Sequence, residues 1–387
     1  MLTFTDNPHD APATLPQWLQ QQSRTQATRI ALRHKRLGVW QVRTWGQLAD
    51  EVQSLATALQ ARGFAAGSTL VIVSRPRPEA LMAALAAQWL GGVAALFDPL
   101  DATAGQVQLL HELHSEFAFA EGHEEIQRLR ASGVVSKLLI YADGRGVTDL
   151  TQVDNAFEFA RLLQQGGDRL LQPQARPERT AFAFYRIGTG QRSEQQRISH
   201  AELLQEGRRL VHSEQLGHQE EALAARAFAA GGQARYLLAP WLIAGFRLNF
   251  PENLATRDQD RRELGPTLVA GTRETYGRLH AQVLARLPEP GSWRRRLVDW
   301  ALVAQPGVLQ RQLGYWLIRR PLRDVLGFSR TRAALLVGEA LAPDTQAFFQ
   351  ALAIEVRTWP DPAQWYSPPP WPAPQVNGWI DGGSQLA

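Results

Sequence analysis

The sequence contains no cysteine in 387 residues, which excludes a disulfide scaffold, thiolate metal sites and cysteine nucleophiles. It contains only two lysines, Lys35 and Lys137, so arginine supplies nearly all of the positive charge. The net charge of +4 is too small, over this length, to indicate a nucleic-acid-binding protein. Residues 1–22 lack the basic start and apolar run of a signal peptide. We therefore expect a soluble cytoplasmic protein with no nucleic-acid partner.

The longest apolar run, residues 80–97, resembles a membrane span in length but is interrupted by Gly91 and Gly92. Together with the residues before it, this run divides into a strand at 70–74, a helix at 76–90 and a strand at 93–97. A strand, a helix and a strand with short connections form a βαβ unit, which implies a parallel sheet.

The alternation of strands and helices continues along the chain, with a polar, glycine-bearing and proline-bearing stretch at 164–178. We therefore predict an α/β fold of two stacked subdomains with mainly parallel sheets. The first covers residues 1–165 and the second residues 179–360. The segment 361–387 is rich in proline, tryptophan and glycine, and we interpret it as a tail.

A short motif lies between Tyr185 and Leu203. It resembles the phosphate-binding loop of AMP-forming adenylating enzymes, and the matching residues are Tyr185, Gly188, Thr189, Ser199, His200, Ala201 and Leu203. Further blocks resemble those of long-chain acyl-CoA synthetases in the same order, at 44–45, 266–267, 295–301, 321–327 and 338–344. The resemblance implies the large N-terminal domain of that family, without its mobile C-terminal lid.

The resembled enzymes join a carboxylate to the α-phosphate of ATP and then pass the acyl group to a thiol. The resemblance implies a remnant of the nucleotide site at Gly188, Thr189, Gly190, Gly338, Glu339 and Ala340. Yet Arg186 and Ile187 replace the hydroxyl side chains of the family loop, and Glu194 replaces its lysine. A carboxylate there would repel a triphosphate, unless Arg186 or Arg192, neither of which is at the matching position, compensates for its charge.

Other family positions differ as well. No glutamate follows the strand that ends at Val356, so the magnesium ligand of the family is missing, and Ser384 replaces the aspartate that binds ribose. Trp359 is a candidate aromatic face for adenine. We therefore predict no catalytic residue, no metal site and no cofactor, with ATP and magnesium required only if the chain is an active ligase.

The histidines favour structural roles. His111 and His114 are one residue closer together than the zinc-binding pair of H-E-x-x-H, and His200 begins a helix at a capping box formed by Ser199 and Glu202.

Residues 293–332 contain nine arginines and only two aspartates, with leucine and tryptophan between them. Basic amphipathic helices of this kind lie on anionic membrane surfaces, which would place the protein at the inner face of the membrane. The alternative interpretation is an ordinary solvated helical face.

We predict a divergent acyl-CoA synthetase relative that does not adenylate and acts as an acyl-binding or regulatory protein. Its candidate ligand is a long-chain fatty acid or acyl-CoA, in a tunnel near Phe182, Phe184, Trp241, Phe246 and Phe250. The alternative is an active fatty acid–CoA ligase with altered loop residues or a lid supplied by another chain.

Overall fold

The computed structural model describes residues 11–100, 104–133, 137–147, 155–166, 171–188, 192–225, 229, 231–303, 307–361 and 365–366. The strands of these residues are β1 (Ile30–Arg36), β2 (Val39–Thr44), β3 (Thr69–Val73), β4 (Val93–Phe97), β5 (Phe117–Ala120), β6 (Leu138–Tyr141), β7 (Ala156–Glu158), β8 (Thr180–Ile187), β9 (Ser193–Ser199), β10 (Glu221–Leu223), β11 (Arg247–Phe250), β12 (Leu268–Gly271), β13 (Ala333–Val337) and β14 (Val356–Trp359).

The helices in the same part of the chain are α1 (Leu15–Thr25), α2 (Trp45–Gln60), α3 (Pro78–Trp89), α4 (Ala104–Glu112), α5 (His123–Ala131), α6 (Phe159–Gln165), α7 (His200–Ser213), α8 (Gly231–Gln233), α9 (Ala239–Ala244), α10 (Arg257–Leu264), α11 (Arg273–Leu284), α12 (Trp293–Ala301), α13 (Val308–Gly314), α14 (Arg320–Leu326) and α15 (Pro343–Ala351). Two π-helical segments, Ala234–Leu238 and Tyr315–Arg319, continue α8 into α9 and α13 into α14.

The strands form two seven-stranded sheets. Sheet 1 has the order β7-β6-β5-β3-β4-β8-β9, and sheet 2 has the order β14-β13-β12-β10-β11-β1-β2. Neighbouring strands are parallel except for β1 with β2 and β8 with β9, which are antiparallel. The predicted α/β fold with two mainly parallel sheets is therefore confirmed.

Sheet membership does not follow the predicted division at residues 165 and 179. The early strands β1 and β2 lie in sheet 2, where Leu32 pairs with Leu248, whereas β8 and β9 lie in sheet 1, where Ala94 pairs with Phe182. The segment before β8 is thus a connection between α6 and β8 and separates no sheets. Pairing between strands more than eighty residues apart carries no local sequence signal, which is why the pattern alone missed this exchange.

Packing places helices between the sheets and outside them. In β3, Leu70 and Ile72 join a core cluster shared by both sheets, whereas the alternate residues Val71 and Val73 face α4 and α5. A third cluster packs α11 and α15 on the outer face of sheet 2. This alternation is the period of two expected for a strand covered on both faces.

The five aromatic residues predicted to surround an acyl tunnel lie in the shared core. Phe182, Phe184, Trp241, Phe246 and Phe250 are each at most 1% exposed. Phe182 packs against Phe184, and Trp241 stacks on Trp45 of α2 with ring centroids 4.9 Å apart. Because these side chains fill the space between the sheets and the central helices, they do not line a tunnel, and that prediction is corrected. No helix among the described residues is long and apolar enough to cross a membrane.

Candidate functional site

The predicted phosphate loop is the tip of the hairpin formed by β8 and β9. The two strands are antiparallel, and Arg186 lies directly opposite Glu194. Gly188 donates its backbone N–H to the carbonyl of Arg192, with 2.8 Å between the two atoms, and this bond closes the hairpin below its tip. Thr189 and Gly190, two of the predicted site residues, lie outside the described residues.

The carboxylate of Glu194 is neutralised within the hairpin. Its Oε2 atom lies 2.7 Å from the guanidinium of Arg186, whose plane lies over the ring of Trp365 with 4.2 Å to the centroid. Glu194 also covers Gly188, since a Cβ added to this glycine would lie 2.2 Å from the carboxyl carbon of Glu194. The expectation of a free, repelling charge at this position is therefore wrong, because the opposite residue on the neighbouring strand pairs with it.

A segment after β14 extends sheet 1 beyond β9. The backbone N–H of Gln195 donates to the carbonyl of Tyr366 (2.8 Å), and the N–H of Tyr366 donates to the carbonyl of Gln195 (2.9 Å). Trp365 packs against the shared core. The beginning of the predicted tail thus covers the hairpin, while Ser384 and its neighbours lie outside the described residues.

The second nucleotide-site remnant is an exposed turn after β13. Gly338 has a φ of +91°, a value that favours glycine, and it donates its N–H to the carbonyl of Trp359 at 3.1 Å. Glu339 pairs with Arg273 at 3.3 Å, and Ala340 is exposed. This turn faces solvent at the carboxyl end of sheet 2, where open α/β sheets bind ligands.

The ring of Trp359 is not open to a nucleotide. It is 8% exposed, and it packs against Tyr236 with 5.6 Å between the ring centroids and under the guanidinium of Arg209 at 5.7 Å. The hypothesis that this ring stacks on adenine is therefore not supported, since neighbouring side chains already occupy its surroundings.

The start of α8 lies between the hairpin and the Gly338 turn. A Cβ on Gly231 would lie 2.6 Å from Oε1 of Gln196 in β9, and one on Gly232 would lie 2.5 Å from Cγ1 of Val337 in β13. Only glycine permits both approaches without displacing a neighbour. The two remnants therefore flank one tightly packed helix start.

A buried ion pair lies beside this helix start, in the π-helical segment Ala234–Leu238. Arg235 is 7% exposed and lies 3.0 Å from Asp361, whose pKa is raised by burial although Arg235 opposes that effect. Burial also raises the pKa of Tyr236 to about 12, and its hydroxyl donates to the carbonyl of Pro360. These bonds fix the chain just beyond β14, and no sequence motif indicated them.

The histidines occupy structural positions. Nδ1 of His111 lies 3.1 Å from the carbonyl of Ser132, and Nδ1 of His114 lies 2.9 Å from the carbonyl of Glu112. His200 is 1% exposed, and its Nδ1 accepts the N–H of Leu15 at 3.3 Å. Within the described ranges, no group of three or more His, Asp or Glu side chains could hold a metal ion.

Two neighbouring cavities open at the carboxyl ends of the strands. The larger, 710 Å³, lies between the sheets and is lined by charged residues that include Arg36, Glu121 and Arg145. The smaller, 270 Å³, includes Leu100 and Ala225, and both cavities are lined by Arg75, Pro76 and Leu254. Sequence reasoning missed both cavities, because their walls come from loops far apart in the chain.

Three described residues of the hairpin differ from the donor set that the resembled loop offers to Mg·ATP. Such a set combines backbone N–H groups, hydroxyls and a free cation. Here Ile187 has no hydroxyl, Arg186 is paired, and Glu194 stands where the resembled loop has lysine. Arg192 is exposed beside the loop and forms no ion pair with the described residues.

Solved structures with this fold are adenylate-forming enzymes. The adenylation domain of a carboxylate reductase from Mycobacterium chelonae superposes with a TM-score of 0.67 at 14% identity, over 90% of this chain and 57% of that chain. The corresponding domain from Segniliparus rugosus, in complex with AMP and a co-purified carboxylic acid, superposes with a TM-score of 0.67 at 14% identity. The match covers 90% of this chain and 60% of that chain. A fatty acyl-adenylate ligase from L. pneumophila, in complex with acyl adenylate and pyrophosphate, superposes with a TM-score of 0.61 at 14% identity. The match covers 89% of this chain and 53% of that chain.

This chain thus spans between 53% and 60% of the length of these three proteins, and the likeness establishes the shared fold. No curated protein matches the sequence. The family model for AMP-binding enzymes matches residues 19–359, which is most of the chain and includes both sheets. The protein therefore belongs to the AMP-binding enzyme family.

Proposed function

We propose that this chain is a member of the family that does not form acyl-adenylates and acts by binding an acyl ligand. The observation that carries the proposal is the Arg186–Glu194 pair, which covers Gly188 and places a neutralised carboxylate at the position of the phosphate-binding lysine. A triphosphate bound there would have to break this pair and displace Arg186 from Trp365.

The two neighbouring cavities supply space for the ligand. The larger cavity, 710 Å³, lies within the range of ligand sites, roughly 300–1,000 Å³, and the smaller one, 270 Å³, lies just below that range. The larger cavity is lined by charges of both signs, and its arginines suit the phosphates of an acyl-CoA. The smaller cavity is lined mostly by charged residues, and its two leucines, Leu100 and Leu254, suit only the start of an acyl chain. The neighbours in complex with an acyl adenylate and with a carboxylic acid support this ligand class.

The nucleotide part of the proposal is tested by calorimetry with Mg·ATP and by ATP–pyrophosphate exchange with a panel of carboxylic acids. We expect neither binding nor exchange in the wild-type chain. The variant R186T/E194K restores a hydroxyl and a lysine, and we expect it to bind Mg·ATP at concentrations at which the wild type shows no binding. The matched variant R186E/E194R keeps a neutral pair and should show no gain. Exchange in the wild type would refute the proposal.

The acyl part is tested by thermal shift with long-chain acyl-CoA, free CoA and fatty acid. A ligand that binds only the folded state raises Tm by mass action. We expect acyl-CoA to raise Tm and the variant L254R, which places a bulky cation between the cavities, to abolish the shift. Leu284 is half exposed and lines neither cavity, so L284R is the control and should retain it. A flat response to every ligand would contradict acyl binding without affecting the nucleotide result.

A working ligase is the second candidate, and Arg192 is the observation that favours it. Its guanidinium is exposed, forms no ion pair with the residues that the structure describes, and could approach a phosphate group. If this candidate holds, wild-type exchange is measurable and R192A abolishes it, whereas R24A, at an exposed arginine of α1, leaves it unchanged.

A further inference from the structure

The helical hairpin made by α12, α13, the π-helical segment Tyr315–Arg319 and α14 exposes an unusual amount of apolar surface. Trp293 is 71% exposed and Trp316 is 60% exposed, although tryptophan is largely buried in most proteins. The large hydrophobic side chains exposed on this hairpin are Trp293, Trp300, Val303, Val308, Leu313, Trp316, Leu317 and Val325. We call these residues, together with Arg294, Arg296 and Arg320, the tryptophan–arginine surface.

Helical spacing arranges the exposed residues in stripes. On α12, Trp293, Arg296 and Trp300 are three and four residues apart and therefore lie along one face. On the second helical stretch, Leu313, Leu317 and Arg320 repeat this spacing. Each exposed stripe runs opposite residues that pack inward, such as Val298 on α12 and Leu326 on α14.

The hairpin is held together by specific contacts, so the exposure is a property of the packed structure. A Cβ on Gly314 would lie 3.3 Å from Ala301, which brings the two helical stretches into close contact. The buried guanidinium of Arg319 donates to the carbonyl of Ala301 at 2.8 Å and to that of Val303 at 3.4 Å, at the end of α12. Nε2 of Gln310 adds a bond to the carbonyl of Trp300 at 2.6 Å.

The charge of the tryptophan–arginine surface has one sign. Arg294, Arg296 and Arg320 are exposed, and none forms an ion pair within the described part of the chain. Arg294 lies over the ring of Trp293 at 5.5 Å and Arg320 over that of Trp316 at 4.6 Å. Of the two acidic residues in this stretch, Asp299 pairs with Arg295, and Asp324 is exposed beside Val325, so the net charge of the stretch remains strongly positive.

We propose that the tryptophan–arginine surface docks the protein on an anionic lipid bilayer. Exposed tryptophans lie next to arginines that have no ion-pair partner among the described residues. On amphipathic helices this combination matches the interfacial zone of a membrane, where indole rings lie among the headgroups and arginines meet lipid phosphates. The charge complementarity favours anionic over neutral lipid. This proposal is independent of the proposed acyl ligand, since none of the residues of this surface lines either neighbouring cavity.

The test is co-sedimentation of the full chain with vesicles of phosphatidylglycerol and phosphatidylcholine in equal parts, and with vesicles of phosphatidylcholine alone. We expect binding to the anionic vesicles at low ionic strength, release at high salt, and no binding to the neutral vesicles. The variant R294E/R296E should bind the anionic vesicles about tenfold more weakly, because it replaces attraction by repulsion. The variant W293S/W316S should also bind more weakly, with the salt dependence retained.

Matched controls separate this surface from the overall charge of the protein. The variant R24E/R176E makes the same charge change at two exposed arginines elsewhere, and L37S removes an apolar side chain that is 92% exposed on the β1–β2 hairpin. Both controls should bind like the wild type, and circular dichroism melts should show that all variants are folded. The proposal is overturned if the wild type stays in the supernatant, if R24E/R176E loses binding as R294E/R296E does, or if R294E/R296E binds normally. The first of these outcomes would leave a protein partner as the occupant.

Discussion

At the residue scale, the consequence of a substitution depends on the neighbour that the fold provides. Glu194 predicts repulsion of phosphate when it is considered alone, but Arg186 opposite it removes that charge. The Arg186 side chain is about half exposed, and exposed ion pairs contribute only ~0–1 kcal/mol to stability. The pair therefore matters for what the hairpin can bind, and much less for how stable the hairpin is.

His200 gives a prediction for the dependence of stability on pH. Burial lowers its pKa from 6.5 to about 4, so the folded protein holds the ring neutral while the unfolded chain binds a proton below pH 6.5. The contribution of the neutral ring to the free energy of unfolding is fully present above pH 6.5 and is lost as the pH falls towards 4. At pH 4 the loss amounts to about 3 kcal/mol. Urea unfolding measured at intervals across this range should show the loss.

The variant H200N is the control, because asparagine also offers an acceptor to the N–H of Leu15 but does not titrate. Its free energy of unfolding should change less between pH 6.5 and pH 4 than that of the wild type. An identical pH slope in the two proteins would show that another group titrates.

At the element scale, helix starts were predicted well because their signals are local. The capping box of α7 is present, since Ser199 Oγ accepts the N–H of Glu202 at 3.2 Å and Glu202 accepts the N–H of Ser199 at 2.7 Å. Thr44 and Gln47 form the same motif at α2. The π-helical segments had no such signal. One carries Arg235, which pairs with Asp361, and the other lies within the tryptophan–arginine surface.

Removing the cap of α7 should destabilise the protein measurably. Because S199A leaves the amide of Glu202 without its acceptor, we expect the free energy of unfolding to fall by about 1 kcal/mol. Ser213, at the other end of α7, is exposed, and S213A should have little effect. Equal stability of S199A and the wild type in urea titrations would mean that solvent replaces the cap at no cost.

At the scale of the whole molecule, the two sheets share one core, and each sheet takes strands from both predicted halves of the chain. The chain enters sheet 2 with β1 and β2, builds all seven strands of sheet 1 with β3 to β9, and then completes sheet 2. Trp45 of α2 stacks on Trp241 of α9, and its cluster includes residues of both sheets. Neither half of the chain therefore contains all the strands of the sheet to which it contributes most.

This exchange predicts that the halves do not fold independently. Expressed alone, residues 1–165 lack β8 and β9 and expose the face of Trp45, and residues 179–387 lack β1 and β2 and expose Trp241. We expect each fragment to show no cooperative thermal transition by near-ultraviolet circular dichroism. The full chain should show one, because its core is continuous. A cooperative transition in either isolated fragment would contradict this prediction.

The sequence by itself determined the features that rest on near neighbours. The βαβ units, the capping box of Ser199 and Glu202, and the family resemblance all depend on residue types a few positions apart, where spacing and local hydrogen bonds decide the conformation. Only the tertiary structure decided that Arg186 neutralises Glu194, that Trp365 covers the hairpin and that the aromatic residues of the expected tunnel are packed in the core. These outcomes depend on which strands pair and which faces meet, and such long-range contacts form only when the whole chain folds.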